Sequence, residues 1–79
     1  PDALVYAVTA GGDIIASTDV NGEFDTSAII GSLLADKGAE GNSQMKLNHE
    51  TCVITYVKQP VSGLLFFGIR PESRQKRRV

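Results

Sequence analysis

The chain has 79 residues, of which 42% are hydrophobic and 22% are charged, and its formal net charge is −1 at pH 7. This length provides one domain and excludes a two-domain enzyme, because chains divide into separate cores only beyond about 200 residues. The composition is typical of a globular domain and excludes a low-complexity or disordered chain. The apolar runs are far shorter than the roughly 18–20 residues that cross a bilayer, so we predict neither a membrane span nor a secretory segment.

The charges are distributed unevenly along the chain. Five of the eight basic residues fall in the last ten positions, whereas eight of the nine acidic residues precede Arg70. A basic patch of Arg74, Lys76, Arg77 and Arg78 is a candidate site for phosphoinositide or RNA phosphates, with a solvated helix face as the ordinary alternative. No interleaved aromatic side chain is available to stack on a base, so we do not expect a nucleic-acid partner.

The first elements predicted are two paired strands. An apolar, β-branched run at 4–8 and a second at 13–18 flank the turn residues 10–13, which is the pattern of a β-hairpin. Asp19 to Glu23 contain Asn-Gly and show no hydrophobic period, which predicts a loop.

A helix is predicted next. Asp25 or Thr26 is the candidate N-cap, and isoleucines and leucines then recur at i,i+4 spacing on one face. Lys37 suits the negative end of the helix dipole, and Gly38 is the candidate left-handed residue just past the helix end. Small residues at 38–43 predict a loop.

The second half of the chain predicts three strands in a meander. Residues 44–49 alternate between apolar and polar, 51–57 are rich in β-branched residues, and 64–69 are apolar at consecutive positions. The last of these runs indicates a strand covered on both faces, most simply in the middle of a sheet. Arg70-Pro71 ends that strand and Pro71 begins a further helix. The element order predicts an α+β domain with one five-stranded antiparallel sheet and helices packed against it.

Groups for catalysis or metal binding are sparse. His49 is the only histidine and Cys52 the only cysteine, and no third orienting group lies at a defined spacing from them. Cys52 lies in a strand-like run, which indicates a small core residue and fits a reducing, cytosolic compartment. Neither a calcium loop, nor a closed zinc site, nor a nucleotide fingerprint is present, so we predict no metal and no cofactor. The acidic residues that such a calcium loop would use are better explained as turn and cap residues: Asp13, Asp19, Glu23 and Asp25.

Read in order, several segments are similar to one known family. Residues 6–16 resemble its first hairpin, 45–49 and 54–57 its third and fourth strands, and 63–69 followed by 77–79 its fifth strand and the basic start of its second helix. The family is the longin domain, the N-terminal regulatory module of certain vesicle SNAREs. The resemblance rests on the order of all these segments and covers the whole chain.

The resemblance implies a profilin-like longin fold. In that fold a five-stranded antiparallel sheet has one helix on one face and two on the other. We therefore expect this chain to be incomplete at its C-terminus, with the second helix truncated and the third absent. An apolar face of the sheet would then be exposed, which favours dimerisation or strand exchange.

The resemblance also implies a function in protein binding. In longin domains an apolar groove between the first helix and the third strand receives an extended segment, either the protein's own SNARE motif or a trafficking partner. Isoleucine and leucine at helical spacing are core residues in roughly four cases out of five, so only some of the candidates line an open groove. The helix side of the groove is expected to hold Ile29, Ile30, Leu33 and Leu34, and the strand side Met45, Leu47 and His49.

Besides electrostatic binding of phosphoinositide or RNA by the basic patch, two classes of function remain open. The first is a non-catalytic, cytoplasmic module, peripheral to endomembranes, that regulates vesicle fusion or sorting by binding a SNARE segment, another trafficking protein or a small GTPase. The second is a longin-like or roadblock-like structural subunit, or GTPase scaffold, that dimerises. An enzyme ranks last, since one histidine and scattered acids supply no acid, base and nucleophile set.

Overall fold

A computed structural model describes residues 3–72, which form one helix and five strands. This order confirms the predicted succession of hairpin, helix and three strands. The elements are β1 (Leu4–Val8), β2 (Ile14–Ser17), α1 (Ser27–Ala35), β3 (Glu40–Leu47), β4 (Glu50–Lys58) and β5 (Leu65–Pro71).

The five strands form a single antiparallel sheet in the order β2-β1-β5-β4-β3. The predicted sheet and its α+β class are therefore confirmed, and β5 occupies the predicted central position. Tyr6 pairs with Phe67 across β1 and β5, and Tyr56 pairs with Phe67 across β4 and β5. The rings of Tyr6 and Phe67 stack with their centroids 4.8 Å apart, and this aromatic pair lies in the hydrophobic core.

The core lies between α1 and one face of the sheet, which we call the helix side. Alternate residues of β4 and β5 point to this side and are buried, as the two-residue period of a strand requires. The α1 helix contributes Ile29, Ile30 and Leu33. The strands contribute Tyr6, Val8, Cys52, Ile54, Tyr56, Leu65, Phe67 and Ile69.

The start of α1 agrees with the prediction, and its end differs. Thr26, one of the two candidates, occupies the N-cap position without a side-chain cap hydrogen bond, and the carboxylate of the other candidate, Asp25, accepts bonds from the N–H (3.2 Å) and hydroxyl (2.8 Å) of Ser27. The helix ends at Ala35, before Lys37, and Gly38 is not left-handed. The reason is that Asp36 adopts an extended conformation (φ −70°, ψ 137°), in which its carboxylate accepts hydrogen bonds from outside the helix.

The predicted loop at 38–43 is wrong from Glu40 onward. Here β3 begins at Glu40, and its first residues pair with β4 as far as Val57. Pairing with a strongly β-forming neighbour overrides the loop-like composition of this segment. At the other end, His49 lies in the turn after β3, where Asn48 and His49 have φ of 51° and 68°.

The end of β5 also differs from the prediction. The strand continues through Arg70 to Pro71, which pairs with Cys52 of β4, so proline does not end it. Glu72, the last described residue, has a helical backbone, whereas Pro71, the predicted first residue of the helix, belongs to the strand. The remainder of that predicted helix, and with it the basic patch of Arg74, Lys76, Arg77 and Arg78, lies outside the described residues.

Candidate binding surfaces

Of the seven residues predicted to form a groove between the first helix and the third strand, six pack in or against the core on the helix side of the sheet, and His49 lies in the turn after β3. The α1 residues Ile29, Ile30 and Leu33 are buried in the core, so in this conformation they form a floor and not an open wall. Met45 and Leu47 of β3 are half-buried and pack against that core. The groove itself stays a prediction; its remaining members are half-buried Leu34 and exposed His49.

The β3 strand carries the longest open backbone edge of the sheet. It has eight residues and pairs only with β4, so the backbone groups on its outer side have no strand neighbour within residues 3–72. Ser43 and Met45 lie on the helix side of this edge, since they pair with the buried Ile54 and Cys52. An exposed edge of this kind is able to accept an added strand.

A second hollow lies on the opposite flank of α1, beside the β1–β2 hairpin. It has a volume of about 460 Å³ and runs between Gly12, Ile14, Ile30, Gly31 and Leu34. At Gly31 an added Cβ would meet nothing within 4 Å, so this side of the helix is open.

Asp19 organises the loop between β2 and α1. Its carboxylate accepts hydrogen bonds from the Tyr6 hydroxyl (2.7 Å) and from the backbone N–H groups of Glu23 (2.8 Å) and Phe24 (3.3 Å). These bonds, the one from Glu23 foremost, lower the pKa of the Asp19 carboxyl, while burial and the Asp19 contact raise the pKa of Tyr6. The cluster has a structural role, as expected of a turn residue.

A similar pair anchors the end of α1. The hydroxyl of Tyr56 donates to the Asp36 carboxylate, and the ammonium of Lys58 donates to the Asp36 carbonyl. The hydrogen bond from Tyr56 lowers the pKa of Asp36, and the same bond raises the pKa of Tyr56. The Tyr56 ring also packs against Gly41, where an added Cβ would lie only 3.1 Å from the hydroxyl oxygen.

The two residues weighed as a catalytic pair occupy different environments. Cys52 is fully buried in the core and its thiol pKa is raised by that burial, whereas His49 is exposed. Within residues 3–72 no cluster of three or more histidine, cysteine or acidic side chains is placed to hold a metal ion. Cys52 is thus a packing residue, as its sequence context predicts.

The face of the sheet opposite α1 is uncovered by any described element. We call it the open sheet face and define it by six residues on the three central strands. Five of them, all but Ala7, line a depression of about 270 Å³. The six residues are Val5 and Ala7 on β1, Thr55 and Val57 on β4, and Phe66 and Gly68 on β5.

Comparison of the chain with protein-family models, with curated proteins and with solved structures found no significant match. Within the described part of the chain, no helix has the length and apolar character needed to span a membrane.

Proposed function

We propose that the chain is a non-catalytic protein-interaction module of intracellular membrane trafficking, of the longin type, acting in the cytoplasm at the surface of endomembranes. It binds an extended segment, such as a SNARE motif or part of another trafficking protein, beside α1. Support for the family comes from the order of the resembling segments together with the α+β sheet. The observation that carries the binding proposal is the open edge of β3 next to a helix-covered apolar core.

The incoming segment extends the sheet as a sixth strand at β3. Backbone hydrogen bonds along eight residues supply affinity, and side chains on alternate positions supply specificity. On the helix side the segment contacts Met45 and Leu47, which are already half-buried against the core. The buried Ile29 and Leu33 fix the position of α1 on the sheet, and α1 forms the other side of the binding site.

The hollow beside the hairpin is the competing seat for the same segment. It has a volume of about 460 Å³, and β2 is likewise an edge strand with one neighbour among the described strands. However, β2 has only four residues, which offers half the backbone pairing of β3. We therefore favour β3.

The test is a titration of the isotopically labelled chain with SNARE-motif peptides, followed by amide NMR. Ser43→Arg places a large cation on the helix side of the β3 edge, and Ile14→Arg places the same cation in the hollow, so each variant is the control for the other. Both positions are exposed, so both variants should fold.

We expect amide shifts along 40–47 and a loss of binding, by tenfold or more, in Ser43→Arg alone. Loss in Ile14→Arg alone would move the site to the hollow. Absence of binding by peptides and by small-GTPase candidates would overturn the interaction module.

A further inference from the structure

The chain contains three asparagines, which differ in the residue that follows them and in what holds their side chains. Asn21 precedes a glycine, whereas Asn42 precedes a serine and Asn48 a histidine. The amide oxygen of Asn42 accepts a 2.9 Å hydrogen bond from the Thr55 hydroxyl. The amide nitrogen of Asn48 donates a 3.0 Å hydrogen bond to the Glu23 carbonyl. Within residues 3–72 the exposed side chain of Asn21 makes no such bond, so its amide is free to react.

Asn21 and Gly22 lie at the exposed tip of the loop between β2 and α1. The tip is a turn in which the Gly22 N–H donates to the Asp19 carbonyl over 3.3 Å, which is long for a backbone hydrogen bond. Gly22 has a φ of 64°, and an added Cβ there would meet nothing within 4 Å. The backbone nitrogen that follows Asn21 is therefore weakly held and sterically open.

The chemistry open to this pair is an intramolecular attack. The backbone nitrogen of Gly22 gives up its proton and attacks the side-chain amide carbon of Asn21, the bond from that carbon to the amide nitrogen breaks, and ammonia leaves with the proton. The product is a five-membered cyclic imide, whose closure is favoured because a glycine has no side chain to crowd the attacking nitrogen. Water then opens the ring at either carbonyl carbon and gives aspartate or isoaspartate, with no oxidant or reductant.

We propose that Asn21 is a site of spontaneous deamidation, and that the isoaspartate form of the product weakens the contacts of Asp19. Isoaspartate carries the main chain through its side-chain carboxyl carbon, so it adds one methylene to the backbone between Asp19 and Glu23. The Asp19 carboxylate accepts hydrogen bonds from the N–H groups of Glu23 and Phe24 at 2.8 and 3.3 Å, and both donors follow the lengthened residue. The new carboxylate also lies between two residues that are already negative, Asp19 and Glu23.

The two ends of the lengthened segment are joined to different parts of the sheet. The Asp19 carboxylate accepts a 2.7 Å hydrogen bond from the Tyr6 hydroxyl of β1, and the Glu23 carbonyl accepts its bond from Asn48 in the turn after β3. A longer backbone between Asp19 and Glu23 displaces these two ends relative to each other, so stability is lost beyond the loop itself. The readouts are covalent change and stability, so the outcome is independent of the proposed peptide binding.

The test is incubation of the full 79-residue chain at pH 8 and 37 °C, followed by proteolysis and mass spectrometry of the fragments. Asn42 and Asn48 are controls within the same chain. Gly22→Ala adds a side chain beside the attacking nitrogen, and Asn21→Gln removes the five-membered ring closure while it keeps an amide. Both positions are exposed, and circular dichroism establishes that each variant folds. A carboxyl methyltransferase specific for isoaspartate, with a labelled methyl donor, measures the isoaspartate fraction.

We expect deamidation at Asn21 to be roughly tenfold or more faster than at the other two asparagines, and Gly22→Ala to slow it by roughly fivefold or more. The isoaspartate-containing chain should unfold at a lower urea midpoint than the unmodified chain, whereas incubated Asn21→Gln should keep its midpoint. Equal rates at the three asparagines, or a rate unchanged by Gly22→Ala, would overturn the site. An unchanged midpoint of the isoaspartate-containing chain would overturn the effect on the Asp19 contacts.

Discussion

Asp36 is the first residue after α1, and the hydroxyl of Tyr56, a core residue of β4, lies 2.6 Å from its carboxylate. Tyr6 makes the corresponding bond of 2.7 Å to Asp19 in the loop that leads into α1. The loop before the helix and the residue after it are thus each tied to the sheet by a tyrosine. Because the chain has two tyrosines, its entire phenol titration reports on these contacts.

The first prediction concerns alkaline pH. Burial and the bond to Asp19 raise the pKa of Tyr6, and the bond to Asp36 raises that of Tyr56. A raised pKa contributes stability that is fully present below the ordinary phenol pKa near 10 and is lost as pH rises above it. Absorbance at 295 nm should show that the phenols of the folded chain ionise at a higher pH than the phenols of the urea-unfolded chain, which is the control. Ionisation of both phenols at the same pH in the folded and unfolded chains would contradict these contacts.

A second prediction concerns acid. The pKa values of Asp19, Asp25 and Asp36 are lowered by hydrogen bonds, chiefly those from Glu23, Ser27 and Tyr56 respectively. A lowered pKa contributes stability that is present above the ordinary carboxyl pKa near 4 and is lost as pH falls below it. Urea midpoints measured from pH 7 to pH 2 should therefore fall steeply below about pH 4.

The Asp19→Asn substitution separates this cluster from general acid effects. It removes the charge that accepts three hydrogen bonds, so it should lower the midpoint at pH 7 and flatten the acid slope. The control is Asp13→Asn, which removes an exposed carboxylate of the hairpin turn. Equal slopes for Asp19→Asn and the unaltered chain would show that Asp19 does not carry the acid dependence.

Two glycines provide a matched pair for a third prediction. At Gly31 an added Cβ meets nothing within 4 Å, so Gly31→Ala should stabilise the helix by about 1 kcal/mol. At Gly41 the Cβ would lie 3.1 to 3.3 Å from the Tyr56 ring, so Gly41→Ala should destabilise by roughly 1–3 kcal/mol. Urea unfolding measures both. Equal effects of one sign would mean that the ring does not pack on Gly41.

The last prediction uses the thiol of Cys52. The side chain is 0% exposed and its pKa is raised by burial, so an aromatic disulfide reagent should react only as the chain opens. We expect the native rate to be on the order of a hundredfold or more below that in urea. In Val61→Cys the added thiol, at a 99% exposed position, should react at once. Rapid modification of Cys52 in the folded chain would contradict its core placement.

The sequence predicts which strands and helix are present better than it predicts the residues at which they begin and end. Alternation and β-branching locate β4 and β5, because each strand buries every second residue on the helix side. The early end of α1 is not predictable from helix signals, since it depends on Tyr56, a residue 20 positions away that bonds Asp36. The start of β3 depends likewise on pairing with β4, against a local composition typical of a loop.

For the candidate sites, the sequence likewise predicts some features, and others are seen only in the structure. The sequence locates the apolar residues of α1 and β3, but periodicity alone does not tell that Ile29 and Leu33 are buried while Leu34 borders a hollow. The depression over Gly68 is also hidden in the sequence, because it requires the register that places Val5 and Thr55 beside it. Consecutive apolar residues in β5 indicate cover on both faces, and within residues 3–72 only one face is covered.

The strand order has a consequence for how the chain is made. The β1 strand lies between β2 and β5 in the sheet. Val5, near the start of the described chain, therefore pairs with Gly68, near its end. During translation, β1 and β2 leave the ribosome long before β5, and one edge of β1 then has no partner. Such distant pairing raises the contact order and slows folding. The nascent chain therefore exposes Tyr6 and Val8 until β5 is synthesised, and transiently exposed apolar surface of this kind is prone to aggregate.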